Sequence, residues 1–194
     1  MGEINKISAI LLAAGQSKRM NGENKLVKEI QGIPLIKFSV KNILASSVDQ
    51  LIIVLGHQRE IIEKLIDKHE KIKFIFNKDF ETGMSSSIKA GLSHLSKNTE
   101  AFFISLGDMP MVNSNIYNQL IKYRNQKDII VPTYRSQQGN PVLFNKSMKS
   151  EIMSISGDVG AKKILEINKD KILNLKINDQ GITKDFNTKE NFIT

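Results

Sequence analysis

The stretch LLAAGQSKRMNGENKL, residues 11–26, sets a glycine, a serine and three cations directly after an apolar run. If Gly15 ends a strand, the backbone N–H groups of Gln16, Ser17 and Lys18 can turn toward one point, as anion-binding nests do. Ser17, Lys18, Arg19 and Lys25 then add a hydroxyl and positive charge, so the chemistry that suits the loop is phosphate binding. Two familiar phosphate motifs fail. A Walker loop needs glycine where Met20 stands, and the dinucleotide fingerprint needs glycine where Ser17 stands. An ordinary strand-to-helix turn with solvated lysines is the other reading that these residues leave open.

Further along, FFISLGDMPMV puts Asp108 just after an apolar run, where a carboxylate can meet a ligand from the end of a sheet. Oxygen donors suit Mg²⁺, which keeps several waters and shares its shell with substrate phosphates. An aspartate that merely begins a turn before Pro110 is the alternative. NKDFETGMSSSIKAGL offers Gly83 and three serines, one of which is expected to cap the following helix. In QGNPVLF and SGDVGAKKIL, the residues Gly139, Pro141 and Gly157 read as turn formers and Asp158 as a helix cap. His57, His69 and His94 lack ligand spacing, so they read as solvated: His57 in a turn, the other two on helix surfaces.

These loops need elements to hold them. Apolar, β-branched runs at residues 7–13, 51–55, 72–76, 101–106 and 129–131 read as buried parallel strands. Between them HQREIIEKLIDKH carries the stripe Ile61, Ile62, Leu65 and Ile66, MSSSIKAGLSHL carries Met84, Ile88, Leu92 and Leu95, and Pro34 opens a helix to about Leu44. Beyond Pro132, TYRSQQGNPVLF reads as loop and strand, GDVGAKKILEI as a helix, KILNLKI as a strand and TKENFI as a short closing helix. The alternation predicts an α/β fold: a single-domain, doubly wound, mostly parallel sheet with helices on both faces and its ligand site at the carboxyl ends of the strands. No linker or repeat divides residues 1–194.

Composition narrows the partners. The 194 residues are 40% hydrophobic and 25% charged, enough for one core, and 28 Lys plus Arg against 20 Asp plus Glu leave +8, which favours anionic ligands. Basic residues are scattered and aromatics make up 6%, so no nucleic-acid surface is visible. The absence of cysteine excludes disulfides and thiol chemistry and suits the cytoplasm. The apolar stretch near residue 10 is too short to span a bilayer, and Lys6 breaks the myristoylation pattern that Gly2 suggests, so no membrane association or export is expected.

LLAAGQSKRMNGENKL resembles the L-A-A-G-x-S-x-R-M-G-x-x-K-L signature of nucleotidyltransferases with the pyrophosphorylase-like, Rossmann-type fold. Asn21 makes the loop before Lys25 one residue longer than the shortest version, closer to the M-G-G-x-D-K variant. The resemblance implies that Gly15, Ser17, Arg19 and Lys25 hold an NTP triphosphate, with Leu12, Ala13, Ala14 and Gln16 in the same NTP site. GMSSSIKAGL, GNPVLF and GDVGAKKIL are similar to segments of molybdopterin nucleotidyltransferases and molybdenum cofactor cytidylyltransferases. By that likeness Gly83, Met84, Ser85 and Ser87 flank the nucleoside, while Gly139, Asn140, Pro141 and Asp158 belong to the acceptor side. The NTP half would run to about residue 110 and the acceptor half from about 111. TKDFNTKENF looks like the family's D-[IV]-D-T-P-E-D close, with Asn187 in place of the second carboxylate, so Asp108 and Asn187 are the implied Mg²⁺ ligands.

What the resemblance implies is in-line attack by an acceptor's terminal phosphate oxygen on the α-phosphorus of an NTP, with pyrophosphate leaving. Arg19, Lys25 and Asp108 are the implied catalytic groups, acting by positioning and charge neutralisation. CTP and molybdopterin, or its molybdenum-loaded form, are the implied substrates, and a molybdenum hydroxylase would receive the product. Ala14, where guanylyl-transferring relatives tend to carry glycine, leans toward a pyrimidine, although one methyl group discriminates by only about 1 to 3 kcal/mol. A GTP-using relative, an accessory protein that carries nucleotide or cofactor without turnover and, weakest, a nicotinamide oxidoreductase are the alternatives.

Overall fold

A computed structural model describes residues 6–17, 23–154, 157 and 160–187. The elements run in the order β1 (Lys6–Ala13), β2 (Glu29–Ile30), β3 (Ile33–Pro34), α1 (Leu35–Leu44), β4 (Gln50–Leu55), α2 (Arg59–Leu65), β5 (Ile72–Phe76) and α3 (Met84–Leu92). There follow β6 (Thr99–Leu106), α4 (Ser114–Lys122), β7 (Ile129–Tyr134), β8 (Gln137–Gln138), β9 (Val142–Asn145), α5 (Lys149–Ser154), α6 (Lys162–Ile167) and β10 (Ile172–Lys176). Arg19 and Asp158, together with the closing helix expected over residues 188–193, lie outside the described residues.

The main sheet has the order β10-β7-β9-β6-β1-β4-β5, with β8 paired to β7. Pairings of β1 with β4 and β6, of β4 with β5 and of β10 with β7 are parallel. β9 is antiparallel to both β6 and β7, so the sheet is mixed but mostly parallel, as expected. Alternate residues of β1 face opposite layers. Ile7, Ala9, Leu11 and Ala13 join a core with Leu35, Ile36, Val40 and Ile43 of α1, Ile62 of α2, and Ile116 and Leu120 of α4. Ile10 faces the second core with Ile88 and Leu92 of α3, Ile152 of α5 and Ile164 of α6. Helices thus cover both faces, as continuous apolar strands require.

Several local expectations change. Pro34 stands at the N-cap of α1 rather than inside it. α2 ends at Leu65, four residues short of the expected span, and Ile61 of its stripe is 48% exposed while Ile62 is fully buried. β5 is the sheet's edge, and its alternating exposure leaves Phe76 at the surface, covered by the Arg59 guanidinium 4.3 Å from the ring centre. α4 fills the place that the strand–helix alternation left unassigned between β6 and β7; the Asn113 side chain accepts from the N–H groups of Asn115 and Ile116 and starts it. His69 and His94 are exposed, in turns beyond α2 and α3 rather than on the helices themselves. Among the described residues, no helix is long and apolar enough to cross a membrane.

Tyr117 of α4 is 3% exposed and donates to Ser105 Oγ at 3.2 Å. Burial pushes its phenol above the ordinary value, an effect the Ser105 hydrogen bond only partly offsets. Because the raised group stays neutral in the fold, its contribution is fully present below about pH 10 and lost above it, as the unfolded chain ionises first. Urea melts at neutral and strongly alkaline pH are expected to show Tyr117→Phe losing less stability across that interval than the wild type; equal losses would remove Tyr117 as the cause.

Candidate active site

The carboxyl ends of β1 and β6 lie side by side, with Leu12 opposite Leu106, and the chain leaves β1 toward one side of the sheet and β6 toward the other. Such a switch point opens a crevice beyond the strands. A cavity of about 550 Å³ occupies it, bordered by the residues after β1, by Lys25, by the 80–84 turn, by Asp108 and by the tail residues Asp185 and Asn187.

On the β1 side, Gly15 is exposed, and a Cβ there would meet nothing within 4 Å, so the backbone is open to a ligand. Ser17 adopts φ +50°, and its Oγ accepts from the Lys25 backbone N–H at 3.1 Å, closing the loop whose residues 18–22 are not described. Asn24 then caps a single 3-10 turn over Lys25–Val27, and Leu26 is buried beneath it. Lys25 therefore starts from a fixed backbone position. Its ammonium donates to the Asp108 carboxylate and to Asn187 Oδ1, the latter at 2.6 Å.

Asp108 is positioned from beneath and beside. Gly107 N–H donates to Leu12 O at 3.1 Å, Ser39 of α1 donates to Gly107 O at 3.1 Å, and Asn42 donates to Pro110 O at 3.1 Å. Phe186 N–H donates to Asp108 O at 2.9 Å, which brings Asn187 over the carboxylate; the Asn187 amide in turn donates to Asp185. The tail is fixed by close approaches. The 3-10 turn Gln180–Thr183 lies where a Cβ on Gly139 would stand 2.4 Å from Ile182 O, and one on Gly181 2.8 Å from Met111.

The opposite wall is the turn before α3. Gly83 takes φ +114°, a conformation that side chains rarely adopt, and stands at the N-cap itself. None of the three serines caps the helix by its side chain, contrary to expectation. Ser85 donates to Gly157 O at 2.6 Å, Ser86 Oγ bridges the carbonyls of Asp79 and Gly83, and Asn77 donates to both Ser86 and Ser87. Met84, expected on the buried stripe, is 39% exposed and lines the cavity instead, with its sulfur 2.6 Å from where a Gly160 Cβ would sit. Gln16 Nε2 reaches across to Glu81 Oε1 at 3.0 Å and ties the two walls together.

Of the residues singled out in the sequence, Leu12, Ala14, Gly15, Gln16, Ser17, Lys25, Gly83, Met84, Ser87, Asp108 and Asn187 meet in this one cavity. Ala13 is buried in the core, and Ser85 is buried beside Gly157. Gly139 and Pro141 are buried, Asn140 is half-buried with its N–H on Ile182 O, and none of the three lines the cavity. Asp185, which stands at the first carboxylate of the closing motif, borders it too, and so do Leu26, Phe80, Glu81, Thr82 and Leu106, which had not been singled out. Most of these flank the quoted motifs, so proximity in sequence was the available signal.

Among the described residues, no three His, Asp or Glu side chains cluster as a self-sufficient metal site. Asp108, Asn187 and Asp185 instead offer a small set of hard oxygens. That set fits a divalent cation which takes the rest of its shell from phosphates and water.

Residues 9–173 match the model of the MobA-like NTP transferase domain. The chain is 28% identical over 181 residues to the bifunctional protein GlmU of Acetivibrio thermocellus, covering 91% of this chain and only 37% of that protein. It is 26% identical to the molybdenum cofactor cytidylyltransferase of Escherichia coli, over 98% of this chain and 96% of that protein. With the probable molybdenum cofactor guanylyltransferase of Methanosarcina acetivorans the identity is 31%, over 78% and 69%. Two solved structures share the fold at lower identity. The Mycobacterium sp. strain JC1 homolog of Rv0371c superposes with TM-score 0.86 at 22% identity over 96% of this chain and 92% of that one. Rv0371c of Mycobacterium tuberculosis in complex with manganese gives 0.80 at 18% over 96% of each.

Proposed function

Because the chain belongs to the MobA-like NTP transferase family, a family of nucleotidyltransferases, we propose that it transfers CMP from CTP to molybdopterin or its molybdenum-loaded form, releasing pyrophosphate. The observation that carries the reading is the single cavity in which the Gly15–Ser17 loop, Lys25 and Asp108 meet. The likeness to the Escherichia coli cytidylyltransferase, which extends over nearly the whole of both chains, supports the choice of acceptor. A molybdenum hydroxylase that takes up the dinucleotide cofactor is the downstream partner this reading implies, and the cysteine-free composition favours the cytoplasm.

In this mechanism the open backbone at Gly15 and the Ser17 loop receive the β- and γ-phosphates, with Arg19 and Lys25 neutralising the charge that builds on the leaving pyrophosphate. The acceptor's terminal phosphate oxygen attacks the α-phosphorus, a new P–O bond forms, and the bond between the α-phosphorus and its bridging oxygen breaks. Asp108 and Asn187 are the residues that would hold Mg²⁺, which supplies charge stabilisation at the phosphate oxygens when bound. The buried anchors beneath Asp108 and Lys25 fix the backbone positions of both residues before substrate arrives, so that only the side chains have to adjust to it. Gly83, Met84 and Ser87 flank the nucleoside; Gly139, Asn140, Pro141 and Asp158 are retained on the acceptor side, Gly139 and Pro141 through packing.

GTP is the second reading, favoured by the Methanosarcina relative. Ala14 is only 4% exposed, and a Cβ on Gly56 would stand 2.8 Å from the Ala14 methyl and 2.7 Å from Phe80 Cβ. In this reading the methyl, packed beside Gly56 together with the Phe80 turn, sets the width left for the base between that turn and the β1 loop. Incubation with molybdopterin, Mg²⁺ and equimolar CTP and GTP, followed by mass analysis, is expected to give mainly the cytosine dinucleotide. A guanine product would move the assignment to the second reading, and the absence of either dinucleotide would overturn the acceptor.

A further inference from the structure

We propose that Lys25 is an internal counter-cation: in the nucleotide-free protein its ammonium takes the position of the divalent metal on Asp108 and Asn187, so the metal binds tightly only once a triphosphate has drawn Lys25 away. The inference rests on the nucleotidyltransferase reading, in which Asp108 and Asn187 are the metal ligands.

Three observations carry it. The ammonium bonds both oxygens at once, the Asp108 carboxylate and Asn187 Oδ1. The pair is largely out of water, at 19% exposure for the Lys25 side chain and 13% for Asp108. The backbone beneath Lys25 is pinned by the Ser17 hydroxyl and by buried Leu26, so release of the two oxygens requires only side-chain rotation.

Charge explains why the positions exclude each other. Asp108 supplies the one anionic oxygen of the pair, since Asn187 contributes a neutral amide where a carboxylate would add a second charge. The Lys25 ammonium already satisfies the Asp108 charge while Asp185 is engaged by the Asn187 amide, and a divalent ion on the same oxygens would stand within a few ångström of Lys25, where like charges repel. The triphosphate offers Lys25 a stronger anionic partner from the adjoining Gly15–Ser17 loop. Metal and nucleotide are then thermodynamically coupled, each raising the affinity for the other by the same factor.

Mn²⁺ binding to the full chain, followed by the loss of the free-ion electron paramagnetic resonance signal, tests this without turnover. Without nucleotide, Lys25→Met and Lys25→Gln are expected to bind Mn²⁺ at least about tenfold more tightly than the wild type, while Lys25→Arg, which keeps the charge, stays near wild type. Adding Asp108→Asn should erase the gain. A non-hydrolysable CTP analogue should tighten Mn²⁺ by a larger factor in the wild type than in Lys25→Met. If the neutral variants, folded by circular dichroism, bind Mn²⁺ no more tightly than the wild type, or if the gain survives Asp108→Asn, the proposal is overturned. The result is independent of catalysis: a chain that turns over no NTP yet shows the charge-dependent gain loses the proposed function and keeps the counter-cation.

Discussion

Asp108→Ala is expected to lower pyrophosphate release by about 10³-fold or more while leaving the fold intact. In the proposed mechanism the side chain carries two tasks at once: it would supply the anionic oxygen for the metal, and it is the partner that holds Lys25. Its backbone, however, is secured by other means, through the Phe186 N–H on its carbonyl and the Ser39 bond to Gly107. Removal of the carboxylate frees Lys25 to turn into the open cavity rather than stranding a sealed charge, so the stability cost should stay near 1 kcal/mol, a shift in Tm of about 2–4 °C. Thermal melts and a coupled pyrophosphate assay measure the two effects separately. A variant that melts normally and retains more than a tenth of wild-type turnover would remove Asp108 from the chemistry.

The second large effect is expected from Gly56→Ala, a change of one methyl group outside the Gly15–Ser17 loop. Gly56 follows β4, and the added carbon would lie 2.7 Å from Ala14 O and 2.7 Å from Phe80 Cβ, neither of which is the movable end of a long side chain. Relief requires the β1 loop and the Phe80 turn to separate, and the His57 N–H bond to Ala14 O, 3.3 Å long, stretches with them. Overpacking of this kind costs about 1–3 kcal/mol, and since each 1.4 kcal/mol is tenfold in affinity, nucleotide binding should weaken by about tenfold as its walls part. Urea denaturation and calorimetric nucleotide titration of the variant check both; unchanged values would mean that the two walls do not depend on contact at Gly56.

The contrast between these residues explains what could be read from the sequence. The strands were legible because residues such as Ile10 and Leu11 are apolar toward both helical layers, a pattern that survives without knowledge of partners. Gly15, Ser17 and Asp108 stood out for a related reason, since each comes soon after an apolar strand and the ends of adjacent strands converge, whereas Lys25, well beyond the end of β1 at Ala13, was marked by the likeness to the nucleotidyltransferase signature. The α4 segment was not singled out although Ile116, Tyr117 and Leu120 carry helical spacing, because the stripe is short and its start is fixed by the Asn113 cap. The serines after Gly83 show the limit of local rules. A cap was a sound expectation from spacing alone, yet Asn77 and the Gly157 carbonyl, brought in from other elements, claim the hydroxyls. Gly139 likewise looked like a turn residue, and only the approach of Ile182 shows that its lack of a side chain makes room for the tail carrying Asn187.

The most direct test of nucleotidyl transfer is pyrophosphate release by the purified chain with each of the four NTPs, with and without molybdopterin and with and without Mg²⁺. The expected result is release that requires acceptor and metal together and is fastest with CTP. Tight nucleotide binding with no pyrophosphate released in any combination would contradict transfer and leave a protein that carries a nucleotide without reacting it.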